Sequence, residues 1–278
     1  MLLSLPFILR KADIMARVFT LASGSSGNST YIGDIKSGVL VDIGLSFSKI
    51  KEGLENEGLS IQNIEALLIT HEHSDHIKGL EVFCKKTDIP VYTTDKTAQK
   101  LISSLPNVQK NIHIIEKEKE YTVGRNTFYA FEVFHDAADA VGYRVTTADK
   151  RRVVYSTDTG HISEDTVRHI ENADLNIIEA NYDDSMLMCN ISYPFLLKKR
   201  ISGECGHLSN NDCAKTVVLL SEKGCKRFLL AHLSEQNNSP LVAFETVKLA
   251  LTEKGLEIDK DYELSVAPRH ENSRMLIF

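Results

Sequence analysis

The chain has 278 residues and a formal net charge of −6, with 42% hydrophobic and 25% charged residues. This composition is typical of a globular protein with a full core, and the acidic balance excludes binding of nucleic acid through a global basic field. The five cysteines are odd in number and form no C-x-x-C pair, which favours free thiols in a reducing compartment over a disulfide framework.

The first residues are apolar but few, and the basic pair Arg10-Lys11 follows them. A signal peptide would carry its charge in front, so we interpret residues 1–14 as an N-terminal extension before a domain at 15–278. No segment approaches the roughly 18 apolar residues of a transmembrane helix, and no membrane contact is predicted.

In chain order, apolar runs and helical spacing predict an alternation of strands and helices. Predicted strands include 18–21, 30–32, 39–41, 64–69, 112–115, 126–134, 140–147, 152–156, 175–179, 228–231 and 262–267, with another at 275–278. Predicted helices include 46–58, one through Leu80 and Phe83, 94–105, 163–173, 194–201, 210–224 and 240–255. The pattern indicates one α/β domain built from two similar halves that meet near residue 150.

Residues 70–79 read T-H-E-H-S-D-H-I-K-G and place four ligand-type side chains directly after a buried strand. His71 and His73 point the same way in an extended turn, because side chains alternate along such a backbone. Asp75 and His76 follow at the start of a helix. Imidazole and carboxylate are ligands of zinc, manganese or iron, so the sequence predicts a divalent-metal site.

Three further ligand-type residues, His135, Asp158 and His232, each follow an apolar strand, and Asp42 follows the strand at 39–41. Sites of α/β proteins gather at the carboxyl ends of strands, so these residues form one ordered set with the 70–79 motif.

At these residues the chain resembles the metallo-β-lactamase-fold hydrolases, over essentially everything after Met15. The resemblance implies a four-layer αββα sandwich with a two-metal centre at the edge of its two sheets. It implies that the first metal is held by His71, His73 and His135, and the second by Asp75, His76 and His232. Asp158 would bridge both metals, and Asp42 would orient the ligands without binding metal.

The segments 21–29, 206–210 and 231–238 look like those of the YycJ/WalJ-type subfamily. This resemblance implies a cytoplasmic bacterial exonuclease that degrades DNA from 5′ strand ends and acts in repair. A hydroxide that bridges the two metals would be the nucleophile, with Asp75, Asp158 and His207 as catalytic residues.

His207 also precedes a helix and could be confused with the second-metal histidine. Because His232 ends an apolar strand, we assign His232 to the metal and His207 to proton donation or phosphate binding. Ser209 is predicted to cap the helix at 210–224, whose first N–H groups would face a phosphate. Further predicted substrate contacts are Ser25, Ser26, Asn28, Asn181, Arg200 and Asn210, together with Ser209.

Other functions remain open at this stage. A small ester, thioester, lactone or cyclic phosphodiester could be the substrate of the same metal centre, and the acidic net charge favours this alternative. A di-iron oxidoreductase would resemble H-x-E-x-D at the first motif, where this chain has His73. A metal-bearing structural or sensor protein without turnover is disfavoured because every ligand position is filled.

Overall fold

The computed structural model describes residues 11–278. Most of the predicted extension at 1–14 therefore lies outside the described residues, and its last four form a short helix, α1 (Lys11–Ile14). The proposed division into this extension and one domain stays a prediction. Within the described residues, every helix falls short of the length and apolar character that a bilayer crossing requires.

The first sheet has seven strands in the order β14-β1-β2-β3-β4-β5-β6. Strands β1 to β3 are antiparallel, and β3 to β6 are parallel. The strand bounds are β1 (Arg17–Ala22), β2 (Ser29–Gly33), β3 (Gly38–Val41), β4 (Ile64–Leu68), β5 (Val91–Thr94), β6 (Ile112–Ile115) and β14 (Leu276–Ile277). The helices of this half are α2 (Phe47–Asn56), α3 (Ser74–Ile77), α4 (Leu80–Lys86) and α5 (Asp95–Ser104), with 3-10 turns at Ile61–Asn63 and Pro106–Asn111.

The second sheet repeats this plan in the order β13-β12-β11-β10-β9-β8-β7. An antiparallel meander from β7 to β10 precedes three parallel pairings from β10 to β13. The strand bounds are β7 (Tyr121–Val123), β8 (Asn126–Glu132), β9 (Val141–Thr146), β10 (Arg152–Ser156), β11 (Leu175–Glu179), β12 (Arg227–Ala231) and β13 (Glu263–Val266). The helices are α6 (Glu164–Ile170), α7 (Asp184–Cys189), α8 (Phe195–Ile201), α9 (Asn210–Glu222) and α10 (Pro240–Glu253).

Alternation along the strands builds three apolar layers, because successive side chains point to opposite faces. In β1, Val18 packs into the layer between the two sheets, whereas Phe19 packs outward against Ile50 and Leu54 of α2. The third layer joins the outer face of the second sheet to the helices α9 and α10. Helices therefore cover both outer faces, which confirms the predicted αββα sandwich.

The chain passes from the first sheet to the second between Ile115 and Tyr121, not near residue 150. Residue 150 instead lies in the turn between β9 and β10, two antiparallel neighbours of the second sheet. The sequence pattern identifies strands but does not reveal the sheet to which each belongs.

The helix predicted after the 70–79 motif is divided into α3 and α4 at Gly79. Gly79 N–H donates to Ile43 O at 2.9 Å, and a Cβ at this position would lie 2.1 Å from Leu45 O. The loop after β3 therefore packs directly against the backbone here, which only glycine allows. This contact fixes the motif against the strand end that carries Asp42.

Candidate metal centre

The ligand-type residues converge where the carboxyl ends of strands from both sheets meet. Asp42 follows β3, Asp158 lies two residues beyond β10, and His232 follows β12. These three residues adopt left-handed backbone conformations, with φ of 61°, 57° and 56° respectively. Such conformations are uncommon for residues other than glycine and concentrate at functional sites. They turn the chain sharply at the point where each strand ends.

Four groups of side chains at this centre bring one ligand atom each to within 4.8 Å of the others: one joins Asp158, Glu179, His207 and His232, and the other three consist entirely of predicted metal ligands. The members are His71, His73 and His135 in one group, Asp75, His76 and His232 in a second, and His71, His76 and Asp158 in a third. The imidazole rings of the first group lie 4.6 to 5.0 Å apart between centroids. The structure thus brings together all seven residues predicted as metal ligands.

Hydrogen bonds from Nδ1 fix the orientation of three of the imidazole rings. His76 Nδ1 donates to Asp42 Oδ2 at 2.7 Å, and His232 Nδ1 donates to Glu179 Oε1 at 2.9 Å. His135 Nδ1 donates to Gly206 O at 3.0 Å. Because the proton resides on Nδ1 in each ring, the Nε2 lone pair is directed inward, the arrangement typical of metal-binding histidines.

Three buried polar atoms of the centre, His71 Nε2, Asp158 Oδ2 and His232 Nε2, have no hydrogen-bond partner. Buried polar atoms without a partner are rare and energetically unfavourable. Divalent cations held by the ligand groups would satisfy these atoms, and the mixed imidazole and carboxylate set accepts zinc, manganese or iron. The residues present therefore fit a divalent-metal site.

Burial and the carboxylates set the protonation of the centre in the metal-free chain. Burial alone would lower the pKa of His232, but Asp158, Asp75 and Glu179 outweigh it and raise the pKa to about 10. For His76, burial is likewise outweighed by Asp158 and Asp42, so its pKa is well above the usual value. In contrast, burial and the neighbouring histidines hold the pKa of His71 well below its usual value.

Asp42 lies behind His76 and is completely buried. Its carboxylate accepts the Thr70 N–H at 2.9 Å and the Thr70 hydroxyl, in addition to the His76 ring. The structure thus places Asp42 as a support for His76, outside the three ligand groups.

Glu179 is a functional residue that the sequence reasoning missed. Its Oε1 accepts from both His207 Nδ1 at 2.8 Å and His232 Nδ1 at 2.9 Å, and its Oε2 accepts the Thr159 N–H at 2.9 Å. Burial alone would raise the pKa of this carboxyl, but His207 and His232 outweigh it and lower the pKa. Glu179 is the last residue of β11, the same kind of strand-end position that identified His232 and Asp42, and that signal could have found it.

His207 lies beside His232, with ring centroids 5.3 Å apart, and its side chain is 22% exposed. Burial would lower its pKa, but Glu179 and Asp158 outweigh this effect and raise the pKa. His207 is therefore held as a proton-bearing group at the opening of the centre.

Some of the residues predicted to contact substrate lie at the metal centre or are exposed beside it. Asn28 belongs to the centre, since its Nδ2 donates to Asp75 Oδ2 at 3.2 Å and contacts His76 Nε2 at 3.1 Å. Ser25 and Ser26 are exposed on the neighbouring loop, where the Ser26 hydroxyl lies 3.3 Å from His270 Nδ1. Arg200 Nε donates at 2.5 Å to Oδ2 of Asp136, the residue that directly follows His135.

Asn181, Ser209 and Asn210 are buried, and their side chains are engaged by the protein. Asn181 Nδ2 donates to His232 O at 2.8 Å, and Ser209 Oγ caps α9 by accepting the Asp212 N–H at 3.1 Å. The amide of Asn210 forms a reciprocal pair with that of Asn238 at 3.0 and 2.9 Å. These side chains hold the loops of the centre in place, and the substrate contacts predicted at the three positions stay predictions.

Comparisons with known proteins agree with this arrangement. A family profile described as a beta-lactamase superfamily domain matches residues 38–233, which include every ligand-type residue described above. Exodeoxyribonuclease WalJ of Streptococcus pneumoniae is 39% identical over 258 residues, which cover 91% of this chain and 94% of that protein. Exodeoxyribonuclease YycJ of Bacillus anthracis is 37% identical over 247 residues, with 88% and 92% covered.

Among solved structures, the metallo-β-lactamase fold protein YhfI from Bacillus subtilis is similar, with a TM-score of 0.70. The similarity covers 95% of this chain and 100% of that one at 17% sequence identity. At this level of identity the similarity shows the fold alone.

Proposed function

Because this chain belongs to the YycJ/WalJ subfamily of the metallo-β-lactamase superfamily, we propose that it is a two-metal exodeoxyribonuclease acting at 5′ strand ends. The observation that carries the proposal is the convergence of the seven ligand-type residues, three of which have a buried polar atom without a hydrogen-bond partner. The substrate class follows from the two exodeoxyribonucleases, which this chain matches over nearly their full lengths.

In this proposal His71, His73 and His135 hold the first metal, and Asp75, His76 and His232 hold the second. Asp158 lies between the groups, with Oδ2 3.4 Å from His76 Nε2 and Oδ1 3.9 Å from His135 Nε2. Its Oδ1 atom also lies 3.3 Å from His232 Nδ1, so the carboxylate is close to nitrogens of both sets, and in this proposal it would bridge the two metals. When bound, the metals supply a nucleophile from water and positive charge for the phosphoryl oxygens.

The remaining chemistry is assigned to the chain's own residues. Glu179 holds the proton of His207 on Nδ1 and supports its positive charge. As the new bond forms between a water oxygen and phosphorus, the bond from phosphorus to the leaving oxygen breaks, and His207 donates a proton to that oxygen. The exposed Ser25 and Ser26 and the guanidinium of Arg200 border the opening and are proposed to contact phosphates. The five free cysteines support a cytoplasmic location, and a role in DNA repair stays a prediction.

The test is degradation of linear duplex DNA labelled at its 5′ or 3′ end, beside covalently closed circular DNA and RNA. Metal-loaded protein should release label from the 5′ end first and leave the closed circle intact. Asp158→Ala should abolish release, whereas His113→Ala, at an exposed histidine of β6, should not alter it. Cutting of the closed circle at a comparable rate would refute action from an end.

A small-ester hydrolase is the second candidate, favoured by the net charge of −6. A lactone and a thioester should therefore be tested in the same preparation. Rapid hydrolysis of either, with no cleavage of any nucleic acid, would establish this candidate instead.

A further inference from the structure

The segment between β11 and α9 is unusually apolar for an exposed part of the chain. We define the α7–α8 segment as residues 183–203, which include α7, a connecting loop and α8. Exposed large apolar side chains number eleven in residues 11–278, and five of them belong to this segment, namely Met186, Met188, Ile191, Phe195 and Leu196. Ile191 is 100% exposed, Phe195 72% and Leu196 77%, and α8 has no buried residue. Exposed apolar groups this concentrated indicate a binding surface.

The C-terminal part of the same segment is basic in an acidic protein. Both carboxylates of the segment, Asp183 and Asp184, lie at its start, whereas Lys198, Lys199 and Arg200 are consecutive on α8. Phe195 and Lys199 are four residues apart on α8, and Leu196 and Lys199 are three apart, so these side chains share one side of the helix. Apolar and cationic groups therefore alternate on one surface.

Both ends of the segment are fixed to the metal centre. At its start, Asp183 N–H donates to Asn237 O at 2.8 Å, in the loop that follows His232. At its end, Arg200 is paired with Asp136, the neighbour of His135, and His207 N–H donates to Ile201 O at 2.8 Å. Lys198 Nζ also donates to Met188 O at 2.5 Å, which joins α8 to α7. The surface is thus held next to the loops that carry the ligand-type residues.

We propose that the α7–α8 segment binds the single-stranded end of the DNA substrate beside the metal centre, which rests on the nuclease function proposed above. Single-stranded DNA presents unpaired bases that pack on aromatic and apolar side chains, together with phosphates that pair with lysine and arginine. A DNA duplex keeps its bases stacked inside the helix and offers this surface phosphates alone. A purely apolar partner would match Ile191 and Phe195 but not Lys198 and Lys199, the two cations of α8 that are not paired with a carboxylate of the described residues.

The consequence is a preference among DNA ends. An unpaired overhang reaches the metal centre with its bases already free, whereas a blunt duplex must first separate its terminal pairs. We therefore expect single-stranded and overhanging ends to be degraded faster than blunt ends.

The test compares the full-length, metal-loaded double variant Phe195→Ala/Leu196→Ala with the matched control Leu241→Ala/Leu249→Ala. The control removes two apolar side chains of α10 that are 69% and 61% exposed. Substrates are a short fluorescein-labelled oligothymidylate, a blunt duplex and bis(p-nitrophenyl) phosphate, which is too small to span the segment. The double variant should raise KM for the oligothymidylate by about tenfold or more, since each stacked base contributes strongly to binding. The rise in KM for the oligothymidylate should exceed the rise in KM for bis(p-nitrophenyl) phosphate by the same factor. The control variant should have the KM values of the parent protein.

Each alternative outcome identifies what failed. If the variant, control and parent have equal KM values for oligothymidylate and still degrade DNA, the α7–α8 segment does not bind the DNA end, and the proposed nuclease function is unaffected. Hydrolysis of the small phosphodiester with no cleavage of any DNA would overturn the nuclease function itself. A parent dimer that the double variant dissociates, or parent binding to phospholipid vesicles that the variant loses, would assign the surface to a second copy or to a bilayer and overturn the proposal.

Discussion

Replacement of Glu179 by glutamine should disable one of the two proposed metal sites while preserving the shape of the side chain. Glu179 Oε2 accepts the Thr159 N–H at 2.9 Å, so the remaining oxygen of a glutamine would occupy that position. The glutamine NH₂ group would then face His207 Nδ1 and His232 Nδ1, which lie 2.8 and 2.9 Å from Oε1 in the parent. Two N–H donors cannot bond to each other, so each ring must move its proton to Nε2 or lose the contact.

For His232 the proton would then block the atom that is proposed to bind metal. The loss of one hydrogen bond to a charged group corresponds to about 1.5 to 3 kcal/mol, in line with the 10- to 100-fold losses typical when the support of a metal-binding histidine is removed. We expect Glu179→Gln to weaken the second metal by about 10- to 100-fold. The group of His71, His73 and His135 makes no contact with Glu179 and should retain its metal.

The assay is metal stoichiometry and affinity, measured by competition with a fluorescent chelator and by mass spectrometry under native conditions. The control is Glu132→Gln, at an exposed carboxylate at the end of β8 that pairs with Lys117 at 2.9 Å. In the variant one metal should bind with parental affinity and the other about 10- to 100-fold more weakly than in the parent and the control. Two metals bound with parental affinity in Glu179→Gln would refute the reasoning that this carboxylate fixes the His232 ring.

Three further predictions concern protons, turnover and salt. At pH 8 the His232 ring of the metal-free chain, with a pKa raised to about 10, is fully protonated, so metal loading should release protons and tighten as the pH rises. Calorimetry in buffers of different ionisation enthalpy that shows no proton release would contradict this. His207→Ala should keep both metals and reduce kcat by about 10²-fold or more, and loss of one metal would show that His207 and His232 have been interchanged. DNA affinity should fall with salt with a log–log slope shallower than about −4, because an end-binding enzyme contacts few phosphates, and a steeper slope in filter-binding titrations would refute this.

The metal centre could be predicted from the sequence because most of its ligand-type residues are close together in the chain or follow an apolar strand. His71, His73, Asp75 and His76 fall within six positions after one strand, and His232 ends another. The structure brings these residues together as the strand-end pattern predicts. Glu179 has the same strand-end position, which could have marked it as a candidate, but its contacts with His207 and His232 depend on tertiary packing, including that of β11 beside β12.

The structure adds to or differs from the sequence interpretation where tertiary contacts decide the environment of a residue. Asn210 looks like an available amide in the sequence, yet its partner Asn238 lies 28 positions further along the chain. The division of the motif helix at Gly79 depends on the loop at Leu45, which the helical spacing of that segment does not report. The change of sheet between Ile115 and Tyr121 likewise depends on strand pairing, because strands of both sheets share the same alternation.

The assembly of the centre from both sheets has a consequence for the timing of activity. Loops of the first sheet carry His71, His73, Asp75 and His76, whereas His135, Asp158 and His232 follow strands of the second. During translation the strands β1 to β6 of the first sheet are made well before β12, and neither of the two proposed metal sites is complete without a residue from the second sheet. A growing chain on the ribosome therefore cannot attack nearby nucleic acid until its two halves have been synthesised and have docked.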